Sequence, residues 1–383
     1  MIRRSVERRL RDDHEDDGYL FPAYEDYCFA SVPHTVTSLL GAETSRTLPD
    51  DVFDTVDTTD VDTVLVVLID GFGLEQWTRD FAKHEFLRRV TERGTVTPLT
   101  SIYPSETAAA ITTFHTGALP AEHGGVGWNV YEPTVDEAFE ALPFLTKDGE
   151  EPAGLTREDV FDADPLYPEL GDRGIESHHV DPLDKACPGT VPHTYEYGNA
   201  ADTASTLRDA VAAAEDPSYV FAYFPHVDHA SHEAGTESDE YQSALAAVDE
   251  AVGKALDGLA DETAEDTLLL VTADHGHVDT DPERNVHLPP DRIEPVREHL
   301  LDELYARVFR REDVLDRGLL GDVETSETFR RRLGDLVLTH RGLGTWFDDA
   351  EPDELELVGM HGGLHPHEML VPFAAVRLSD LRA

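Results

Sequence analysis

The sequence has little lysine, little cysteine and no long hydrophobic run. Only four of its 30 basic residues are lysines, and 79 acidic residues leave a formal net charge of −49 at pH 7. This charge argues against binding of duplex nucleic acid, which requires a basic face. Because neither Cys28 nor Cys187 has a CxxC neighbour, the sequence predicts neither a disulfide framework nor a zinc knuckle.

Membrane attachment and secretion are also disfavoured. No apolar run approaches the ~20 residues that span a bilayer. The N-terminal sequence MIRRSVERRLRDDHEDD lacks the apolar segment of a secretory signal. We therefore expect a soluble, cytoplasmic protein with no membrane partner.

The acidic excess suggests a particular solvent. Like charges at this density repel one another in dilute buffer, whereas molar salt shortens the Debye length to about 3 Å. We hypothesise that the protein works in a salt-accumulating cytoplasm, as in halophilic archaea.

The sequence does contain apolar runs that alternate with helical patterns. The runs at 63–69, 95–99, 174–180, 219–224, 267–272 and 369–376 predict strands, and the first is typical of a strand buried on both faces. The alternation predicts an α/β fold, a three-layer αβα sandwich with a mostly parallel central sheet. We predict an N-terminal arm packed on the core (1–60), the core itself (61–286 and 357–383) and an inserted cap segment (287–356).

Aspartate and histidine side chains follow several of these runs or lie in glycine turns. They are Asp70 in VLVVLIDGFG, Asp228 and His232 in YFPHVDHASHEAG, Asp274 and His275 in LLLVTADHGH, and His361 in GMHGGLHP. Strand ends of an α/β sheet build sites at one edge. Three aspartates and three histidines provide enough ligands for two divalent metal ions. Neighbouring histidines compete for these roles: His226, His229, His365 and His367.

A hydroxyl-bearing segment, SIYPSETAAAITTFHTG, lies just before a helical pattern. Thr107 is the best candidate nucleophile, with Ser105 as its rival. A threonine hydroxyl is not ionised at neutral pH, so it needs activation, which a bound metal ion can supply. At a helix N-terminus it also has backbone N–H groups beside it that can receive phosphate oxygens. Two metal ions and a hydroxyl nucleophile indicate chemistry on phosphate.

These motifs, in this order, resemble the alkaline phosphatase superfamily, and within it the type I phosphodiesterase/nucleotide pyrophosphatase family. The segment PSETAAAITTFHTGALPAEHG is similar to the family's nucleophile motif, with Pro104, Thr107, Thr116-Gly117 and His123-Gly124 at the matching positions. The ending GGLHPHEMLVPF is similar to the closing strand of the superfamily core.

The resemblance implies a mechanism and two ligand sets. Asp228, His232 and His361 would hold one metal ion. Asp70, Asp274 and His275 would hold the other, with Thr107 coordinated to it as the attacking group. The implied reaction is in-line attack on phosphorus, a phosphothreonine intermediate and its hydrolysis. The implied cofactors are two divalent ions, zinc or manganese, with the nitrogen ligands favouring zinc.

The substrate stays open at this point. Ala110 and Glu106 depart from the asparagine and the lysine or threonine that are common at these positions of the family. A small phosphate ester or nucleotide is the expected partner, and the oligomeric state is not predicted. The alternatives are a phosphomonoesterase or phosphonoacetate hydrolase-like enzyme of the same superfamily, and an inactive metal-binding scaffold. Arg330, Arg331, Arg332 and Arg341 are either a second phosphate site or solvated helix charge.

Overall fold

The computed structural model describes residues 1–42, 44, 46–182, 191–288, 306–340, 342, 344–347 and 354–382. Cys187, Arg341 and part of the predicted cap segment lie outside these residues. Among the described helices, none is long and apolar enough to cross a membrane.

A seven-stranded sheet forms the centre of the molecule. Its strands, in chain order, are β1 (Thr63–Ile69), β2 (Thr95–Thr100), β3 (Glu176–Pro182), β4 (His193–Tyr197), β5 (Ser218–Phe224), β6 (Thr267–Thr272) and β7 (Leu370–Arg377). Their order across the sheet is β2-β7-β6-β1-β5-β3-β4. Every residue of β1, β2, β5 and β6 is buried, as the continuous apolar runs predict.

Strand β7 alone runs against the other six. It pairs antiparallel with both β6 and β2, whereas β6-β1, β1-β5, β5-β3 and β3-β4 are parallel. The amino end of β7 therefore lies at the same sheet edge as the carboxyl ends of the other strands. The predicted α/β fold with a mostly parallel central sheet is confirmed.

Helices surround the sheet. They are α1 (Arg4–His14), α2 (Val32–Leu39), α3 (Leu74–Asp80), α4 (Glu85–Arg93), α5 (Thr107–Thr116), α6 (Pro120–His123), α7 (Tyr167–Asp172), α8 (Ala200–Ala213), α9 (His226–Ala234), α10 (Asp239–Asp257), α11 (Asp261–Asp266), α12 (Arg311–Asp316), α13 (Glu327–Arg332), α14 (Pro366–Met369) and α15 (Leu378–Arg382). Helix α10 contacts α4, α8 and α9, while α5 contacts α2 and α6.

Smaller elements border the sheet. Val6 and Leu10 of α1 are buried, and isolated bridges join Ile2 to Val96 and Cys28 to Thr100 at the β2 edge. Five short strand pairs of the described residues lie outside the main sheet: Glu15–Asp16 with Tyr19–Leu20, Asn129–Glu132 with Glu137–Glu140, Val278–Asp279 with Gly359–Met360, Val286–Leu288 with Thr345–Phe347, and Ala306–Arg310 with Leu336–His340. The division into arm, core and cap remains a prediction.

Two features differ from the expected pattern. The helical pattern of residues 75–92 predicts one helix, but Phe81–Lys83 form a 3-10 turn between α3 and α4. The Asp249 carboxylate of α10 accepts hydrogen bonds from the N–H groups of Phe86 and Leu87, at 3.2 and 2.9 Å, and so caps α4 from a distant part of the chain. The other difference is edge strand β4, whose polar sequence HTYEY gives no hydrophobic signal.

Candidate metal centre

The six predicted ligands lie together at one edge of the sheet. Asp70 follows β1 directly, Asp274 and His275 follow β6, and helix α9 carries Asp228 and His232 just beyond β5. His361 precedes β7, whose reversed direction places it at the same edge. Gly71 makes the turn after Asp70 possible, because it has φ +69° and a Cβ there would lie 2.5 Å from His277 Nε2.

The first set of ligands is Asp70, Asp274 and His275, here called the Asp70 cluster. All three side chains are almost completely buried. His275 Nε2 lies 3.3 Å from Asp70 Oδ1 and 3.5 Å from Asp274 Oδ2. These two carboxylate oxygens have no hydrogen-bond partner among the described residues. Two orphaned, buried carboxylate oxygens beside an imidazole nitrogen fit a divalent cation.

The remaining oxygens of the Asp70 cluster are held by the protein. The Tyr223 hydroxyl donates to Asp70 Oδ2, and the Gly71 and His275 N–H groups donate to Asp274 Oδ1 at 3.2 and 3.0 Å. Burial and then the charge of Asp274 raise the pKa of Asp70 well above its ordinary value. Burial and then the charge of Asp228 raise the pKa of Asp274 to about 7. Without a cation, the cluster therefore resists full ionisation.

The second set is Asp228, His232 and His361, here called the Asp228 cluster. Asp228 Oδ1 lies 3.4 Å from His232 Nε2 and 3.7 Å from His361 Nε2, and the two Nε2 atoms are 3.1 Å apart. The Nδ1 atoms of His232 and His361 face the backbone oxygens of Gly359 and Ser105 at 2.7 and 3.0 Å. If each Nδ1 donates to its carbonyl, both Nε2 lone pairs face Asp228, an arrangement that fits a cation.

The pKa of the carboxylate in the Asp228 cluster is shifted in the opposite direction from those of the Asp70 cluster. Burial by itself would raise the pKa of Asp228, but His232, His277 and His361 outweigh it and hold the pKa well below its ordinary value. Burial and then His275 lower the pKa of His361, so this imidazole is neutral and able to bind a metal ion.

His277 is a site residue that the sequence interpretation missed. Its Nε2 lies 2.9 Å from Asp228 Oδ1, and the side chain is buried. Burial lowers its pKa to about 4, so the neutral ring donates from Nε2 and orients the carboxylate. The available signal was the second histidine of the ADHGH motif, two residues after His275.

The rival histidines belong to neither cluster, although His226 and His229 line the same cleft. The His226 ring stacks on Tyr197 with centroids 5.9 Å apart, and His229 is exposed beside Glu233. The His365 side chain accepts a hydrogen bond from the backbone N–H of His367 at the start of α14. Among these candidates, the structure thus brings His361 and His232 to the carboxylate of Asp228.

Thr107 is the first residue of α5 and borders the Asp70 cluster. Its Oγ1 lies 3.0 Å from His275 Nε2. The hydroxyl of the rival, Ser105, donates instead to the Gly363 backbone oxygen at 2.9 Å and approaches Glu368 at 3.3 Å. The structure therefore places the Thr107 hydroxyl, and not that of Ser105, beside the predicted ligands.

Glu106 changes the expected role of the helix N-terminus. Its carboxylate accepts hydrogen bonds from the N–H groups of Ala108 and Ala109 at 3.1 and 3.3 Å. Burial raises the pKa of Glu106 to about 7. Two N–H groups that were expected to receive phosphate oxygens are thus already occupied by a side chain.

Two arginines of the arginine-rich segment pair with a buried carboxylate, whereas Arg330 is exposed, as expected for solvated helix charge. Arg331 and Arg332 contact the two oxygens of the buried Glu132 carboxylate at 2.8 and 3.0 Å. The buried Arg332 also donates to the backbone oxygens of Gly124 and Val160. These groups form a buried ion network that ties α13 to the 129–140 hairpin.

A cleft of about 580 Å³ opens onto both clusters. Its lining includes Asp70, Glu106, Thr107, Trp128, Asn129, Tyr223, Asp228, His232, Glu354, Leu357, Met360 and His361. The volume is in the range that accommodates a small organic ligand.

Comparison with known proteins supports the sequence resemblance. The family model for type I phosphodiesterase/nucleotide pyrophosphatase matches residues 64–295, more than half of the chain. An uncharacterised pyrophosphatase/phosphodiesterase of Schizosaccharomyces pombe is 28% identical over 245 residues, covering 59% of this chain and 47% of that protein. Ectonucleotide pyrophosphatase/phosphodiesterase family member 3 of Rattus norvegicus is 27% identical over 185 residues, covering 46% and 20%. The alignments thus span about half or less of these relatives' own length.

Solved structures share the fold. Murine ectonucleotide pyrophosphatase/phosphodiesterase 5 superimposes with a TM-score of 0.62 at 16% identity, covering 83% of this chain and 92% of that one. An inactive variant of the same murine protein, in complex with AMP, gives a TM-score of 0.61 with 84% and 93% coverage. With the family match, these findings lead to one assignment. The chain belongs to the type I phosphodiesterase/nucleotide pyrophosphatase family.

Proposed function

We propose that the protein is a two-metal hydrolase that cleaves phosphodiester or pyrophosphate bonds through a phosphothreonine intermediate. The observation that carries this proposal is the position of the Thr107 hydroxyl, 3.0 Å from His275 Nε2 of the Asp70 cluster. The rings of His275 and His361 are stacked with centroids 3.7 Å apart, so the two clusters are direct neighbours. A hydroxyl and two adjacent ligand sets in one cleft support phosphoryl transfer.

The cofactors we propose are two divalent ions, with zinc favoured over manganese by the three imidazoles. Asp70, Asp274 and His275 would hold one, and Asp228, His232 and His361 the other, with Thr107 beside the first. When bound, such ions lower the pKa of a coordinated hydroxyl or water and withdraw charge from phosphate oxygens. They would also offset the repulsion between a phosphate and this acidic protein.

The reaction proceeds in two halves at Thr107. In the first, Thr107 Oγ1 forms a bond to phosphorus, the bond to the leaving oxygen breaks, and the hydroxyl proton passes to the leaving group. In the second, water attacks phosphorus, the bond to Oγ1 breaks, and the threonine regains a proton from that water. His277 holds the Asp228 carboxylate in position, and Tyr223 does the same for Asp70.

Glu106 favours diesters over monoesters as substrates. Its carboxylate occupies the first-turn N–H groups beside Thr107 and lines the cleft. A monoester dianion would bring two negative charges towards this carboxylate, whereas a diester brings only one. Trp128 and Leu357 add an apolar wall that can accept a leaving group such as a nucleoside, in keeping with the AMP complex of the murine neighbour.

The test is turnover of bis-p-nitrophenyl phosphate, p-nitrophenyl phosphate and phosphonoacetate in molar KCl with added Zn²⁺ or Mn²⁺. We expect the diester to react with the highest kcat/KM. Preference for the monoester or for phosphonoacetate would establish the corresponding alternative. No turnover of any of the three by metal-loaded protein would indicate a binding scaffold.

The substitution Glu106→Gln tests the selectivity argument. Removing this charge should raise the monoester-to-diester ratio of kcat/KM by about tenfold. Glu354→Gln is the matched control, since Glu354 lines the same cleft but its carboxylate is paired with Lys147 at 3.0 Å. An unchanged ratio in Glu106→Gln would show that a residue other than Glu106 discriminates between monoesters and diesters.

We also propose a salt-rich cytoplasm as the protein's environment, on the basis of the net charge of −49. The salt experiment described in the Discussion tests the solvent part of this proposal.

A further inference from the structure

A third group of potential ligands lies at the opposite end of the sheet. Glu176 and His178 belong to β3 and His193 to the edge strand β4, and we call them the Glu176 cluster. Glu176 is the first residue of β3, whereas the phosphoester site lies beyond the carboxyl ends of the strands. The two sites are therefore separated by the length of the sheet.

The strand register brings the three side chains together. His178 pairs directly with His193 across the parallel ladder, and Glu176 shares a face of β3 with His178 because side chains alternate along a strand. Glu176 Oε2 lies 3.1 Å from His178 Nε2, and the two imidazole rings stack with centroids 4.5 Å apart. One ligand atom from each residue lies within 4.8 Å of the other two.

Neighbouring groups orient the cluster as they orient metal ligands. His178 Nδ1 faces the Tyr195 hydroxyl at 3.4 Å, so a proton on Nδ1 leaves the Nε2 lone pair directed at Glu176. The Glu215 N–H donates to Glu176 Oε2 at 3.1 Å. His178 itself is almost fully buried, and burial lowers its pKa, which keeps the imidazole neutral.

We propose that Glu176, His178 and His193 form a third divalent-metal site, selective for zinc, that joins edge strand β4 to β3. Two imidazoles and one carboxylate are a zinc ligand set with room for water at the fourth position. The bound ion would connect β4, which has a neighbour on one side only, to the adjacent strand. A simple His178–Glu176 ion pair is the competing explanation, and it gives His193 no role.

Zinc stoichiometry separates these two explanations. The wild-type protein and the His193→Gln and Glu176→Gln variants are dialysed to equilibrium in molar KCl against buffered micromolar Zn²⁺, and the bound zinc is measured by atomic emission. His193 is exposed, so its replacement leaves the core unchanged. The matched control is His14→Gln, since His14 belongs to none of the ligand groups found in the described part of the chain.

We expect both cluster variants to bind one zinc ion fewer per chain than wild type and His14→Gln. Phosphodiesterase activity should be the same in all four proteins, because the cluster lies far from Thr107. Zinc should also raise the melting temperature of wild type more than that of His193→Gln. Equal zinc content in wild type and both cluster variants, or an equal loss in His14→Gln, would overturn the proposal.

Discussion

The Asp70 and Asp228 clusters lie side by side but differ in charge and exposure. The Asp70 cluster has two carboxylates and one imidazole, with side chains at most 1% exposed. The Asp228 cluster has one carboxylate and two imidazoles, with side chains 9 to 22% exposed at the cleft. Its carboxylate is also hydrogen-bonded by His277, whereas the Asp70 cluster retains two orphaned oxygens.

Because of this difference, we expect the two clusters to affect different properties, namely the stability of the fold and the rate of turnover. Two buried carboxylates repel each other, so the metal-free Asp70 cluster destabilises the fold when both are ionised. Asp228 is surrounded by His232, His277 and His361, and it keeps a low pKa without a metal ion. We therefore expect metal loss at the Asp70 cluster to affect stability, and metal loss at the Asp228 cluster to affect turnover first.

The largest effect on turnover is expected at Thr107, whose removal should leave metal binding by both clusters unchanged. Thr107→Ala should lower kcat for the diester by at least about 10³-fold, because the nucleophile is removed. Metal content, measured by atomic emission, should stay at the wild-type level, since the six other ligands are unchanged. Thr107→Ser is the control and should recover part of the activity. Substantial turnover by the alanine variant would identify a different nucleophile.

A smaller effect is expected at His277, whose side-chain hydrogen bond goes to the Asp228 cluster. His277→Gln should lower the affinity for one of the two metal ions at the phosphoester site by about 10- to 100-fold, because Asp228 loses its orienting hydrogen bond. Competition with a chelator, followed through residual activity and bound metal, measures this change. Equal weakening of both ions would contradict the separation of the clusters.

The pH dependence of the metal-free protein tests the Asp70 cluster. The pKa of Asp274 is about 7 in the folded chain, against about 3.9 when unfolded. Between these values the folded state binds more protons, so the free energy of unfolding should fall as pH rises from about 5 to about 7. We expect a loss on the order of 1 kcal/mol from this cluster, measured by urea denaturation in EDTA.

Two variants isolate the source of that pH dependence. In the double variant Asp70→Asn/Asp274→Asn, the free energy of unfolding should depend less on pH, because both buried carboxylates are removed. His361→Gln should leave the slope unchanged, because it alters the other cluster. A slope that persists in the double variant would assign the effect to the acidic surface instead.

The smallest expected difference concerns salt. Raising KCl from 0.1 M to 3 M should stabilise the protein, since salt screens repulsion among surface carboxylates. In the metal-free protein, Asp70→Asn should increase the free energy of unfolding. Because Asp70 is buried, this increase should differ by less than about 0.5 kcal/mol between the two salt concentrations. Full stability of wild type at low salt would count against the halophilic hypothesis.

Local sequence determined much of this protein. The short, β-branched run TVLVVLI predicts a buried strand, and Asp70 directly after it is predicted to lie at the sheet edge. The same reasoning placed Asp274 and His275 after β6, and the PSET segment at the start of α5. These features depend on side-chain periodicity and on residues near one another in the chain, so a single sequence is sufficient to predict them.

Contacts between distant residues were decided only by the tertiary structure. The cap that Asp249 provides for α4, and the hydrogen bond from His277 to Asp228, join residues 163 and 49 positions apart. The partner of Arg331 and Arg332 was not predicted for the same reason, since Glu132 lies about 200 residues away in the chain. A sequence lists donors and acceptors, but their partners depend on how strands are ordered and packed, because a polar side chain is satisfied by whichever group the fold brings within about 3 Å.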